Sequence, residues 1–207
     1  KPTTETERML LWILADLHLE LTRGWDLPAA DARPDFDDAV TTSGIGGITF
    51  IGATLWSDFD LFGDAEYAMM AAAETMNDYR KIRTRQYKLR LRPTDTLKRH
   101  LESRDFIARE LCKPGRRHVV VTHHGAHPDA ARRGFERDIS SAAYTSDLSA
   151  LIAEGAPELW TYGHTHESRD FTVGSTRIIT NGKGYGPWHR GETWDNPEFN
   201  PTYVIEI

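Results

Sequence analysis

Short apolar runs punctuate the chain, and most stop at a polar cluster. Met9 to Ala15 (MLLWILA), Ile48 to Trp56 (ITFIGATLW), His118 to Thr122 (HVVVT) and Leu159 to Tyr162 (LWTY) are apolar at consecutive rather than alternate positions and too short for typical helices. That pattern predicts strands buried on both faces. Phe171 to Ile179 predicts a hairpin around Gly174-Ser175, and Tyr203 to Ile207 a closing strand.

Helical signals fill the gaps. Asp64 to about Arg85 is rich in Ala, Met and Glu, and a second helix starts with Thr94 or Asp95 as N-cap, carries Leu97, Leu101, Ala108 and Leu111 on one stripe, and ends before Pro114-Gly115. Met69, Met70 and Met76 read as core filler. Together the two helices form an insertion over residues 64–113. A further helix is expected from roughly Thr145 to Glu154, stopped by Gly155. Thr22 to Gly47 is rich in Pro, Asp and Gly without a period and predicts loop, as does Pro128 to Ala142. Strands alternating with helices, without a repeat or interdomain linker, predict one α/β domain over residues 1–207, with the polar residues 1–8 as a disordered leader.

Composition narrows the function classes. No stretch approaches the roughly 20 apolar residues of a membrane span. Lys+Arg 25 against Asp+Glu 31 gives a net charge of −6, which argues against a nucleic-acid-coating surface, although positive charge gathers between Arg80 and Arg99. A single cysteine, Cys112, excludes an internal disulfide and points to a reducing, cytoplasmic compartment.

The chemistry sits where the runs end. Asp16-Leu17-His18 follows the first, His123-His124 the third, and Gly163-His164-Thr165-His166 the fourth. Open α/β sheets build their sites at strand ends. Alternation along a strand aims His164 and His166 at one place if extension continues through Thr165, and Gly163 would allow a tight turn there. The candidate ligands Asp16, His18, His123, His164 and His166 are too many for one tetrahedral zinc, so two adjacent divalent ions are inferred. Mixed carboxylate and imidazole donors suit manganese, iron or zinc better than calcium. Ser57-Asp58-Phe59-Asp60 reads as a turn before a helix.

In this order, Asp16-Leu17-His18, Thr122-His123-His124 and Gly163-His164-Thr165-His166 resemble the calcineurin-like metallophosphoesterase superfamily over nearly the whole chain. Ala53 to Phe59 and Met76 to Arg80 are similar to a bacterial branch of it. The resemblance implies a four-layer α-β-β-α sandwich of two mixed sheets flanked by helices, with a dinuclear centre at the strand ends. It implies that Asp16, His18 and His166 bind one metal, His123 and His164 the other, and that His124 stands beside the second metal, nearer substrate. The family's Gly-Asp, whose carboxylate bridges the metals, and its Gly-Asn-His are missing between Asp-x-His and the later histidines. The gap reads as an excised block that takes part of the first sheet with it. A bridging carboxylate offsets the repulsion of two dications about 3.5–4 Å apart, so its loss predicts a second site weaker than the first.

The implied activity is metal-dependent hydrolysis of small phosphate mono- or diesters, weakened by the missing motifs. Arg80, beside Tyr79 on the first inserted helix, is the candidate to orient the phosphate. The alternative is a degenerate, non-catalytic member that binds metal or a phosphorylated ligand. A mononuclear zinc hydrolase of another class is disfavoured by the absence of H-E-x-x-H.

Loss of strands beside the Met9 to Ala15 run would leave an unpaired edge and an uncovered face, so a homo-oligomer is expected, most simply a dimer, whose protomers could exchange elements. Light scattering after size exclusion should give twice the sequence mass at micromolar concentration; a monodisperse monomer refutes it. If the site is shared, mixing Asp16→Ala and His164→Ala chains should restore some bound metal.

Overall fold

The computed structural model describes residues 9–13, 15, 16, 41–45, 47–84, 88–189 and 191–207. In chain order its elements are β1 (Leu10–Trp12), β2 (Thr41–Ile45), β3 (Ile48–Ala53), α1 (Ala65–Thr75), α2 (Asn77–Lys81), β4 (Arg83–Thr84), β5 (Leu89–Arg90), α3 (Pro93–Leu111), β6 (Arg117–Thr122), α4 (Ser149–Gly155), β7 (Leu159–Thr161), β8 (Ser168–Val173), β9 (Thr176–Asn181) and β10 (Val204–Glu206). Short 3₁₀ turns at Pro128–Ala130 and Ile139–Ala143 interrupt the loop before α4.

A six-stranded mixed sheet, ordered β2-β3-β6-β7-β9-β8, carries the molecule. Its four inner strands are parallel and its two edge strands antiparallel to their neighbours. Consecutive apolar residues serve both faces. Ile51, Val120, Trp160 and Ile178 meet Ile107 and Leu111 of α3 and Ile152 of α4, whereas Ile48, Val119, Leu159 and Ile179 meet Ile13 and Ile205. Ile205 belongs to a second, two-stranded sheet, a ribbon in which β1 and β10 run antiparallel, and Ile13 directly follows β1. The fold is thus an α/β sandwich flanked by helices, and the cluster under the ribbon includes no helical residue among the described residues. None of the described helices is long and apolar enough to cross a membrane.

Several sequence expectations are corrected here. The stretch read as loop contains β2, a polar edge strand (TTSGI) whose order comes from its hydrogen bonding to β3 rather than from burial. The first inserted helix is broken at Met76, which is extended at φ −80° and ψ 137°, so α2 restarts at Asn77. Met76 is indeed buried, but Met70 is 56% exposed. The buried face of α3 runs through Thr96, His100, Ser103, Ile107 and Leu111, while Leu101 is exposed. Polar groups replace the expected leucine because they have partners: Thr96 Oγ1 meets Tyr79 Oη at 3.0 Å, and His100 Nδ1 lies 3.4 Å from the Trp56 carbonyl oxygen. At the end of α4, Ala156 takes the left-handed conformation, and Gly155 serves the packing, since a Cβ there would strike Leu111.

The buried Thr122 hydroxyl ties the sheet to the residues beyond it. It accepts the indole N–H of Trp160 at 3.0 Å and donates to the His124 carbonyl at 2.8 Å. Thr122→Val keeps the side-chain shape but deprives both groups of this partner, so stability should fall by about 1–3 kcal/mol. Urea unfolding measures this, and an unchanged midpoint would show the hydroxyl to be dispensable.

Candidate functional site

Asp16 is fastened where the ribbon crosses the ends of the parallel strands. Ala15 pairs with Gly182 in a parallel bridge, the Ala15 carbonyl accepts the Lys183 N–H, and the Asp16 carbonyl accepts the Gly184 N–H. The Asp16 carboxylate, its side chain 2% exposed, accepts the His164 N–H through Oδ2 at 2.7 Å. Its Oδ1 stands 3.7 Å from His123 Nδ1 and 3.9 Å from His166 Nε2. Gly163 is required by this approach, because a Cβ would run into the carboxylate.

The backbone does not stay extended through Thr165. His164 and His166 both lie at positive φ, 68° and 53°, as does Asp16 at 48°. For residues with a Cβ this region costs on the order of 1–3 kcal/mol each, and such strain collects at functional sites. The turn, rather than strand alternation, brings the two rings to one cavity. His166 donates from Nδ1 to Asp195 Oδ2 at 2.9 Å, and its ring meets Tyr185 edge-on.

The remaining imidazoles cluster behind it. His164 stacks on Tyr144, with centroids 4.4 Å apart, and lies 4.7 Å from His123 and 4.3 Å from His124. His124 is buried, and burial pushes its pKa well down, with the neighbouring His123 adding to the effect. Its Nδ1 lies 3.3 Å from the Thr54 carbonyl oxygen, which can only accept, so the proton sits on Nδ1. Nε2 then carries a lone pair and has no hydrogen-bond partner among the described residues. An orphaned imidazole lone pair among further imidazoles, one of them beside the buried Asp16 carboxylate, fits a divalent cation in its donor chemistry. Among the described residues, however, no three such donors already surround a common point.

Asp16, His123, His164 and His166 all line one cavity of about 560 Å³, whose wall also includes Asn77, Asp78, Arg132, Asp138, Tyr144, Tyr185 and Asp195. A smaller groove beside β1, lined largely by apolar residues such as Leu11, Ile13 and Phe50, lacks this chemistry. His18 lies outside the described residues. Arg80 is exposed on α2 and does not line the cavity; Asn77 and Asp78 of the same helix do. His127 instead caps a 3₁₀ turn, accepting the Asp129 N–H at 3.1 Å. Sequence reasoning passed over Arg132, Tyr144 and Asp195, which carry no local motif. The Met76-Asn77-Asp78 stretch was at least visible as part of the family resemblance.

No protein-family model matches this chain. It is 28% identical over 169 residues, 77% of its length, to an uncharacterized protein of Acanthamoeba polyphaga mimivirus. Its fold is similar to that of a solved hydrolase. The similarity is to the crystal structure of phosphopantetheinyl hydrolase from Mycobacterium tuberculosis, at a TM-score of 0.50 and 19% identity over 84% of this chain. The chain spans 56% of the viral protein and 61% of the hydrolase chain. At that identity the likeness is one of fold.

The segment after β3 meets the imidazole cluster at His124. Leu55, Trp56 and Phe59 adopt positive φ, Trp56 lies 5.0 Å from the His124 ring, and fully buried His100 supports the turn from α3. Burial pushes the His100 pKa below its ordinary 6.5, opposed only in part by Asp58, whose Oδ2 is 4.0 Å from Nε2. A histidine harder to protonate when folded contributes its full stability above the unfolded value and loses it as pH falls below that value. Wild-type stability should therefore drop between about pH 7 and about pH 5, and His100→Gln should drop less steeply, by up to about 1.4 kcal/mol per pH unit. Urea midpoints across that range measure the difference; identical slopes would contradict it.

Proposed function

We propose that the cavity hydrolyses phosphate mono- or diesters with the help of divalent metal. The carrying observation is the buried Asp16 carboxylate within 3.7 and 3.9 Å of imidazoles from two other segments. Two donors each about 2.0–2.2 Å from one ion stand no more than roughly 4.4 Å apart, so either pair is close enough to share one. Asp16, His18 and His166 would hold one ion, and His123 and His164 a weaker second, with His124 beside it; manganese, iron or zinc suits these donors. When bound, such ions neutralise charge growing on the phosphoryl oxygens and make water a better nucleophile at neutral pH.

The chain's own groups prepare that place. Asp195 fixes the His166 tautomer, the Thr54 carbonyl fixes that of His124, and Tyr144 holds the plane of the His164 ring. Fold likeness to a phosphopantetheinyl hydrolase is in keeping with a hydrolytic role. A second reading, a binding protein without turnover, is favoured by the lack of a preformed three-donor group among the described residues.

A generic aryl phosphate ester with added manganese should be hydrolysed slowly, turnover should stop with chelator, and the His164→Ala, His166→Ala double variant should lose at least about 10²-fold. Elemental analysis should show Asp16→Ala losing more metal than His123→Ala, and equal losses would remove the asymmetric site. Metal bound without turnover would favour the second reading; vigorous chelator-resistant turnover would overturn both.

A further inference from the structure

The cavity wall contains a cation that is not among the candidate metal donors. Arg132 is exposed, its guanidinium carbon lies 5.7 Å from the Phe135 ring centroid, and it forms no ion pair among the described residues. Two nearby guanidinium groups are committed elsewhere: Arg133, next in sequence, pairs with Glu198, and Arg169, which donates to the Ala131 carbonyl, pairs with Glu167. A guanidinium over an aromatic face keeps its edge N–H groups available, and their fork matches two oxygens of one phosphate. The phenol of Tyr144, whose ring stacks on His164, is close enough to feel the charges of both Arg132 and Asp78. Arg132 and Tyr144 line the same cavity as His123, His164 and His166.

Apart from Arg132 and the three imidazoles, the charged groups of the lining are the carboxylates of Asp16, Asp78, Asp138 and Asp195. Asp16 and Asp195 are turned to imidazoles, and Asp138 Oδ1 accepts the Ser140 N–H at 2.8 Å. Asp78 and Asp138 still bring two carboxylates to a cavity whose lining has Arg132 as its one guanidinium among the described residues. A ligand with a second anionic group would meet repulsion there, whereas hydroxyl, amide or ammonium donors would find acceptors.

We propose that Arg132 grips the phosphate of the ligand, and that Asp78 and Asp138 select an organic remainder that carries hydrogen-bond donors and no second anion. The proposal rests on the phosphoester reading for the position of the phosphate. Arg132 replaces Arg80 in the role expected from sequence.

Binding is read without turnover, by titrating inorganic phosphate into the full chain supplied with manganese. Arg132→Ala should weaken phosphate about tenfold or more, and Arg132→Lys should recover part of the loss, because lysine keeps the charge without the fork. O-phosphoethanolamine should bind the wild type more tightly than phosphoglycolate, and Asp78→Asn with Asp138→Asn should narrow that gap. Unchanged phosphate affinity in Arg132→Ala, no phosphate binding by the wild type, or equal or tighter binding of phosphoglycolate would each overturn the proposal. A chain that binds phosphate through Arg132 yet hydrolyses nothing would keep this inference and lose the hydrolytic reading. Turnover with an unchanged KM in Arg132→Ala would do the reverse.

Discussion

The contact between the Asp16 carboxylate and the His164 backbone N–H, at 2.7 Å, joins the chain's early ribbon to the end of its central sheet. A charged acceptor buried at this depth must be paired to be tolerated, and a charge-assisted hydrogen bond is among the stronger ones available. Gly163 gives the carboxylate room, and the backbone bonds from Lys183 and Gly184 to Ala15 and Asp16 hold the second side. Three distant segments are fixed to one another through this carboxylate. The imidazoles of His123 and His166 are placed relative to it as a consequence.

The surrounding packing sustains considerable backbone strain. Asp16, Leu55, Trp56, Phe59, His164 and His166 are all at positive φ without being glycine. Leu55 and Phe59 are fully buried, each in an apolar cluster on the helical side of the molecule, so burial of large side chains offsets the unfavourable dihedrals. Both strained turns reach the His124 ring, one through Trp56 and the other through His164. Rigid support of this kind holds ligand-type side chains in positions that a relaxed loop would not maintain.

Polarity inside the cavity follows from the same geometry. The break at Met76 places Asn77 and Asp78 on the wall, and the loop between β6 and α4 brings Arg132, Asp138 and Tyr144 to it. Imidazoles and Asp16 form one part of the lining, while Arg132 and further carboxylates form another. The phosphate contact and the ligand selection proposed above therefore fall to different residues.

The inner strands were legible in the sequence because both of their faces are packed: Val119 and Val120, or Ile178 and Ile179, each meet a different apolar cluster, which forces a continuous apolar run. Ligand-type residues beyond those runs were legible for the same local reason, since a polar cluster must leave the core where the strand stops. His18 falls outside the described residues, while Asp16, His123, His164 and His166 come to one cavity. Tertiary structure alone decided the rest. β2 is polar and ordered by its hydrogen bonds to β3, β1 pairs with β10 from the far end of the chain, and His166 finds Asp195 29 residues later. Side-chain pattern records how deeply a residue is buried, but not which distant backbone or carboxylate it meets. The turn at His164, the break at Met76 and the arrival of Arg132 depend on such meetings, so no local period announced them.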